Sequence, residues 1–77
     1  MGKDKFTYKV SIDGMKCGMC EAHVNDLFRK HLKLKKVKSS HLKNQTILVS
    51  LTPLSEQDIK DSLEGSGYKI INIEQVV

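Results

Sequence analysis

Cys17 and Cys20 are the chain's two cysteines, and they stand two residues apart in the run Gly14-Met15-Lys16-Cys17-Gly18-Met19-Cys20. A glycine-containing turn followed by a helical pattern lets both sulfurs converge on one ion. Cys17 is expected in the loop and Cys20 in the first helical turn, one ligand mobile and the other anchored. The free N–H groups and positive potential of a helix N-terminus, with Lys16 adjacent, predict thiol pKa values depressed into the range of ~3.5–7.5. Thiolate is the ligand form. Two soft sulfurs with nothing harder nearby favour Cu(I) and exclude Mg²⁺ and Ca²⁺ by ligand type. A structural zinc site takes four protein ligands, and the nearest further donor is His23. It lies one helical turn past Cys20, a position that permits but does not require a third ligand, the alternative being a solvent-exposed histidine. His31 and His41 read as a helix-end charge and a strand residue.

The elements that must position this pair can be read from periodicity. Phe6, Tyr8, Val10 and Ile12 alternate with polar residues over 5–13, a half-buried strand. Cys20, Val24, Leu27, Phe28 and His31 or Leu32 recur every three or four residues, predicting a helix over 19–31, with Glu21 in its first turn and Arg29, Lys30 and His31 in its last. A second strand is expected over 34–42 with Val37, Ser39 and His41 on one face. Asn44 marks a hairpin tip, and a third strand over 46–51 places Ile47, Val49 and Leu51 on one side. Pro53 closes that strand. Ser55 reads as an N-cap, Leu54 and Ile59 as a hydrophobic staple, and Gly65 as the C-cap of a helix over 56–64 that buries Ile59 and Leu63. Gly67 turns the chain into a last strand over 68–76, with Ile71 and Ile73, or Ile70 and Val76, facing the core. The order βαββαβ predicts an α+β, ferredoxin-like sandwich: a four-stranded antiparallel sheet with two helices on one face. The Cys17 loop then lies at one exposed end, beside Gly67 and Tyr68.

The 77 residues are read as one domain spanning 1–77. A chain this short buries only roughly 60–65% of its unfolded surface, so its core is small. No apolar run approaches the ~20 residues of a spanning helix. The N-terminus runs straight into a strand pattern rather than a signal-peptide core, so a cytoplasmic location is expected. Gly2 superficially invites N-myristoylation, but Phe6 stands where Ser or Thr is required. In such a setting two cysteines are thiols or ligands rather than a structural bridge. The net charge of +4 comes from scattered lysines, which read as a solvated surface or as a face that meets an acidic protein. Nucleic acid is disfavoured, because the lysines are not interleaved with exposed aromatics.

Asp13-Gly14-Met15-Lys16-Cys17-Gly18-Met19-Cys20, followed by Val24 and Leu27 on the helix and Gly67-Tyr68 after the second helix, resembles the heavy-metal-associated domain of copper chaperones and of the N-terminal modules of copper-transporting P-type ATPases. The resemblance covers nearly the whole chain. It implies that Cys17 and Cys20 bind Cu(I) in a shallow, nearly linear site and hand it on through shared three-sulfur intermediates. The implied partner is such an ATPase or its metal-binding domain, with an acidic docking face, and a metal-bridged homodimer is compatible with the site. Met15 in that family packs beneath the loop and is not a ligand. Tyr68 occupies a position where bacterial chaperones carry a tyrosine that shields the metal; a strand-start aromatic capping the core is the structural reading beside it. Met19 is either an incidental exposed residue or part of a docking rim. Zinc-selective relatives often carry an acidic residue where this chain has Lys16, which favours a monovalent ion. Ser39 and His41 stand where the family has aliphatics, which raises a question of stability.

An enzyme is not expected. The competing reading, a thiol–disulfide oxidoreductase, shares the cysteine spacing, but the loop lacks the usual flanking aromatic and Pro53 is misplaced for a cis-proline beside a disulfide. A mercury- or zinc-binding module of the same fold also competes, as does a protein-binding module with a vestigial site. Met1 and Val77 lie close to the first and last strands, which is read as a complete small protein.

Overall fold

The computed structural model describes residues 5–76. The expectations for residues 1–4 and 77, including the lipidation reading of Gly2, lie outside them. The elements follow the expected order: β1 (Phe6–Asp13), α1 (Gly18–His31), β2 (Lys36–Ser40), β3 (Gln45–Ser50), α2 (Glu56–Ser62) and β4 (Lys69–Gln75). All strand pairs are antiparallel and the sheet order is β2-β3-β1-β4. This is the ferredoxin-like arrangement. β1, the most regularly alternating segment, is a central strand whose Tyr8, Val10 and Ile12 are buried. They join Val24 and Phe28 of α1, Ile59 of α2 and Leu63 just past it in a single cluster, so both helices cover one face.

Four expectations change. On β3 the buried residues are Thr46, Leu48 and Ser50, while Leu51 is exposed. The reason lies in the ladder: Thr46 pairs with Val10 and Ser39, and Leu48 with Tyr8 and Val37, so the face with fewer apolar residues meets the core. Its hydroxyls are satisfied. Ser39 donates to Asn25 Oδ1 at 2.6 Å and shares a 2.8 Å hydrogen bond with Thr46, and Ser50 Oγ accepts from the Thr52 N–H at 3.1 Å. Ser39 is therefore a paired member of the core rather than a defect in it.

β2 is shorter than expected because His41 leaves the ladder: its N–H goes to Glu21 Oε2 at 2.7 Å, and residues 41–44 form the turn. Asn44 takes φ 53° there, and its carbonyl accepts from the Ile12 N–H at 2.8 Å. β4 contains a bulge opposite Ser11 and Ile12, with Ile71 as the extra residue. Ile70 and Ile73 therefore both reach the core, a spacing that simple alternation cannot produce.

α2 starts as read, the Ser55 side chain accepting from the Asp58 N–H at 3.1 Å, with Leu54 and Ile59 both against the core. It ends earlier, at Ser62, with Leu63 as the cap. The chain tightens through Leu63 N–H to Lys60 O and Glu64 N–H to Asp61 O, so Gly65 closes a turn instead of capping the helix.

The paired hydroxyls give a direct test. Ser39→Ala strands the fully buried Thr46 hydroxyl and should cost about 1–3 kcal/mol in urea unfolding. The double change Ser39→Ala, Thr46→Val should cost less than the two single changes summed, since the shared bond is then lost only once.

Candidate metal centre

The site begins at Gly14. Its φ of 113° is open to glycine alone, and a Cβ there would stand 3.3 Å from Tyr68 Cδ1 and 3.6 Å from the Gly67 carbonyl oxygen. The end of β1 therefore passes tightly against the start of β4. Met15 follows and joins the core cluster, 4% exposed.

α1 starts at Gly18, one residue earlier than its sequence pattern indicates, which makes Cys17 the N-cap. Cys17 is extended, with φ −160° and ψ 177°, and its carbonyl accepts the N–H groups of Cys20 at 3.0 Å and Glu21 at 3.4 Å. Its backbone is therefore anchored to the helix rather than loose in a loop. Its thiol makes no capping bond and is exposed, while Cys20 is half-buried in the first turn. The two sulfurs are 4.0 Å apart and both thiols are free.

The Cys20 thiol is lowered from its ordinary 9.0 to about 7. The backbone N–H of Lys16 contributes most, then the Tyr68 hydroxyl, against the opposing effect of burial, with the Cys17 N–H and thiol adding the least. Lys16 thus acts through its backbone, and its side chain is exposed to solvent. Tyr68 is pushed above its ordinary range, first by burial and then by its bond to Cys20 and the charge of both cysteines, so its hydroxyl remains protonated and able to donate. The ring also packs against the core cluster, as the core-capping reading of Tyr68 expects.

His23 sits over the same hydroxyl. Its Nδ1 is 3.2 Å from Tyr68 Oη, and the rings meet edge to face at 5.6 Å and 69°. Among the described residues no group of three His, Cys, Asp or Glu side chains could hold a metal ion, so His23 does not complete a zinc-type set with the cysteines. His31 bonds the Leu27 carbonyl. His41, expected in a strand, lies in the turn after β2 and holds Glu21 through its Nδ1 at 2.6 Å as well as its N–H. The backbone N–H of His41 is the first cause of the lowered Glu21 pKa, ahead of the imidazole. The hairpin turn is thereby tied to the residue after Cys20. Sequence reasoning found neither the Tyr68–His23 contact nor the Glu21–His41 pair. The one available signal was the polar His41 in an otherwise inward phase. Met19 and Leu42 stand 83% and 84% exposed at this end of the molecule.

No protein-family model matches the chain. No curated protein sequence matches it either. Solved structures do share its fold. A copper binding domain from HMA7, a P-type ATPase, has a TM-score of 0.74 and 24% identity over 94% of this chain and 95% of that one. The CopZ metallochaperone has 0.73 and 18% over 84% and 98%. Oxidized MerP from Ralstonia metallidurans has 0.73 and 22% over 87% and 94%. The chain therefore shares its ferredoxin-like fold with these three proteins. Among the described residues no helix is long and apolar enough to cross a membrane.

Two outcomes follow from the thiol's surroundings. Tyr68→Phe removes a donor to Cys20 and should raise the Cys20 pKa, read by ultraviolet thiolate absorbance or alkylation rate against pH. Because the folded-state pKa lies below the unfolded one, the contribution of Cys20 to stability is full above about 9 and lost as the pH falls through about 7. The urea midpoint of the reduced protein should rise across that window, and the rise should shrink in Cys20→Ser.

Proposed function

We propose that this chain, as one domain over residues 1–77, is a heavy-metal-associated carrier that holds Cu(I) between Cys17 and Cys20 and passes it to the metal-binding domain of a copper-transporting P-type ATPase. The observation that carries this reading is the pair of free thiols 4.0 Å apart at the exposed start of α1. With metal–thiolate bonds of about 2.3 Å, sulfurs at that separation subtend about 120° at a shared ion. Such an angle leaves room for a third sulfur.

Transfer then proceeds by ligand exchange. A thiolate of the acceptor binds the ion beside Cys17 and Cys20, the more exposed Cys17 releases first, and Cys20 follows as a second acceptor thiolate replaces it. Each sulfur–copper bond broken is matched by one formed, with no change in oxidation state. The Tyr68 hydroxyl and the Lys16 N–H steady the Cys20 thiolate as the ion leaves. Lys16 in place of an acidic residue supports a monovalent over a divalent ion. The role is that of a carrier within the cytoplasm rather than an enzyme. Hg²⁺ suits the same sulfurs and is the competing cargo.

Anaerobic titration against a cuprous chelator tests the assignment. One tight equivalent per chain is expected, with affinity falling by more than about 100-fold in Cys17→Ser or Cys20→Ser, a loss beyond that of an outer-shell partner. Unchanged tight binding in the double variant would remove these residues from the site. If the acceptor's docking face is acidic, transfer should slow as added salt shortens the Debye length from ~30 to ~8 Å.

A further inference from the structure

The charge of the chain is not evenly spread. Residues 27–55 hold seven of the thirteen Lys and Arg and none of the nine Asp and Glu, so this stretch carries +7 and the remainder, six cations against nine acids, −3. Six of those seven fall between Arg29 and Lys38, where α1 ends and β2 begins. α1 runs away from the cysteines for 14 residues, which places this region roughly 20 Å from them at about 1.5 Å per residue. β3 returns to the same end, bringing Leu51 with it.

There Arg29, Lys33 and Lys35 surround a cleft of about 870 Å³ with Leu32, Leu34 and Leu51 among its lining. Leu51 is 57% exposed. The ion pairs among the described residues are Lys9–Glu74 and His41–Glu21, so none of these cations is in one. Lys36 and Lys38 have a simpler role, since they lie on the edge strand and discourage pairing with another chain. That role does not extend to Lys33 and Lys35, which precede the strand, or to Arg29 on the helix.

We propose that this cleft and its basic rim form a peripheral docking surface for the anionic phospholipid headgroups of a membrane, with Leu51 seated at the boundary between headgroups and acyl chains. The composition separates this occupant from others. Protein interfaces favour Arg and aromatic anchors and are depleted in Lys, whereas here five of the six cations are lysine and the cleft has no aromatic lining. A dense cluster of four to eight basic residues is the pattern that diffuse headgroup charge attracts. The exposed Leu51, beside the half-buried Leu32 and Leu34, suits acyl chains and offers nothing to a phosphodiester backbone. The surface is distinct from the cysteine end, which stays open while the other end is adsorbed.

Flotation of the reduced, metal-free full chain tests this independently of its cargo. The probes are vesicles of phosphatidylcholine alone, vesicles of phosphatidylcholine with phosphatidylglycerol, duplex DNA and an acidic polyglutamate peptide. Binding to the mixed vesicles but not to phosphatidylcholine is expected, weakening as salt rises. Lys33→Gln with Lys35→Gln should lower partitioning about 25-fold, about fivefold per cation. Leu51→Ser should lower it about three- to tenfold while leaving any DNA binding unchanged. All three positions are exposed, and circular dichroism confirms the fold of each variant. Three results would overturn the proposal: no partitioning to the mixed vesicles at low salt, partitioning indifferent to these variants, or tighter retention by DNA or the acidic peptide than by the vesicles.

Discussion

The close passage of Gly14 against Gly67 and Tyr68 is the constraint on which the cysteine end depends. Only a residue without Cβ can hold φ 113° with the Tyr68 ring 3.3 Å from where that atom would be. From that contact the rest follows in sequence. Met15 is drawn into the core, Cys17 is left as the extended N-cap, and Cys20 arrives in the first turn beneath a tyrosine hydroxyl. The depressed Cys20 pKa is a product of this geometry, built from one backbone N–H and one phenol rather than from a neighbouring side-chain cation. Local backbone freedom at one glycine is thus converted into chemistry six residues later.

The core is small, and it includes Ser39, Thr46, Ser50 and Ser62 beside its apolar residues. Their hydroxyls are all paired, and among the described residues no buried side-chain nitrogen or oxygen lacks a partner. Burial of a polar group is costly chiefly when its partner is missing, so these positions cost far less than their polarity indicates. The Glu21–His41 pair extends the same principle to the surface, fixing the hairpin turn against the first turn of α1. The two ends of the molecule then differ in character: one holds thiols among bonded polar side chains, and the other holds unpaired lysines around a leucine-lined cleft.

The order of elements and the position of the cysteine pair were legible in the sequence because each rests on local period and capping. The face of β3 was not. Counting apolar residues favours Ile47, Val49 and Leu51, but cross-strand register with Val10 and Ser39 decides which side turns inward, and register is a tertiary property. The bulge at Ile71 hid the inward pair Ile70 and Ile73 for the same reason. Tyr68 was legible as a neighbour of the cysteine loop through Gly67-Tyr68, whereas its contact with His23 joins residues 45 apart and leaves no trace in spacing. The early end of β2 likewise depends on Glu21, 20 residues before it, competing for the backbone N–H of His41.

The central claim is that two sulfurs, and no imidazole, hold the cargo. X-ray absorption at the copper edge of the reduced protein loaded with one equivalent of Cu(I) measures this directly. The account predicts sulfur neighbours from Cys17 and Cys20 without a nitrogen shell, in a spectrum unchanged by His23→Ala. A nitrogen neighbour that disappears in His23→Ala would contradict it.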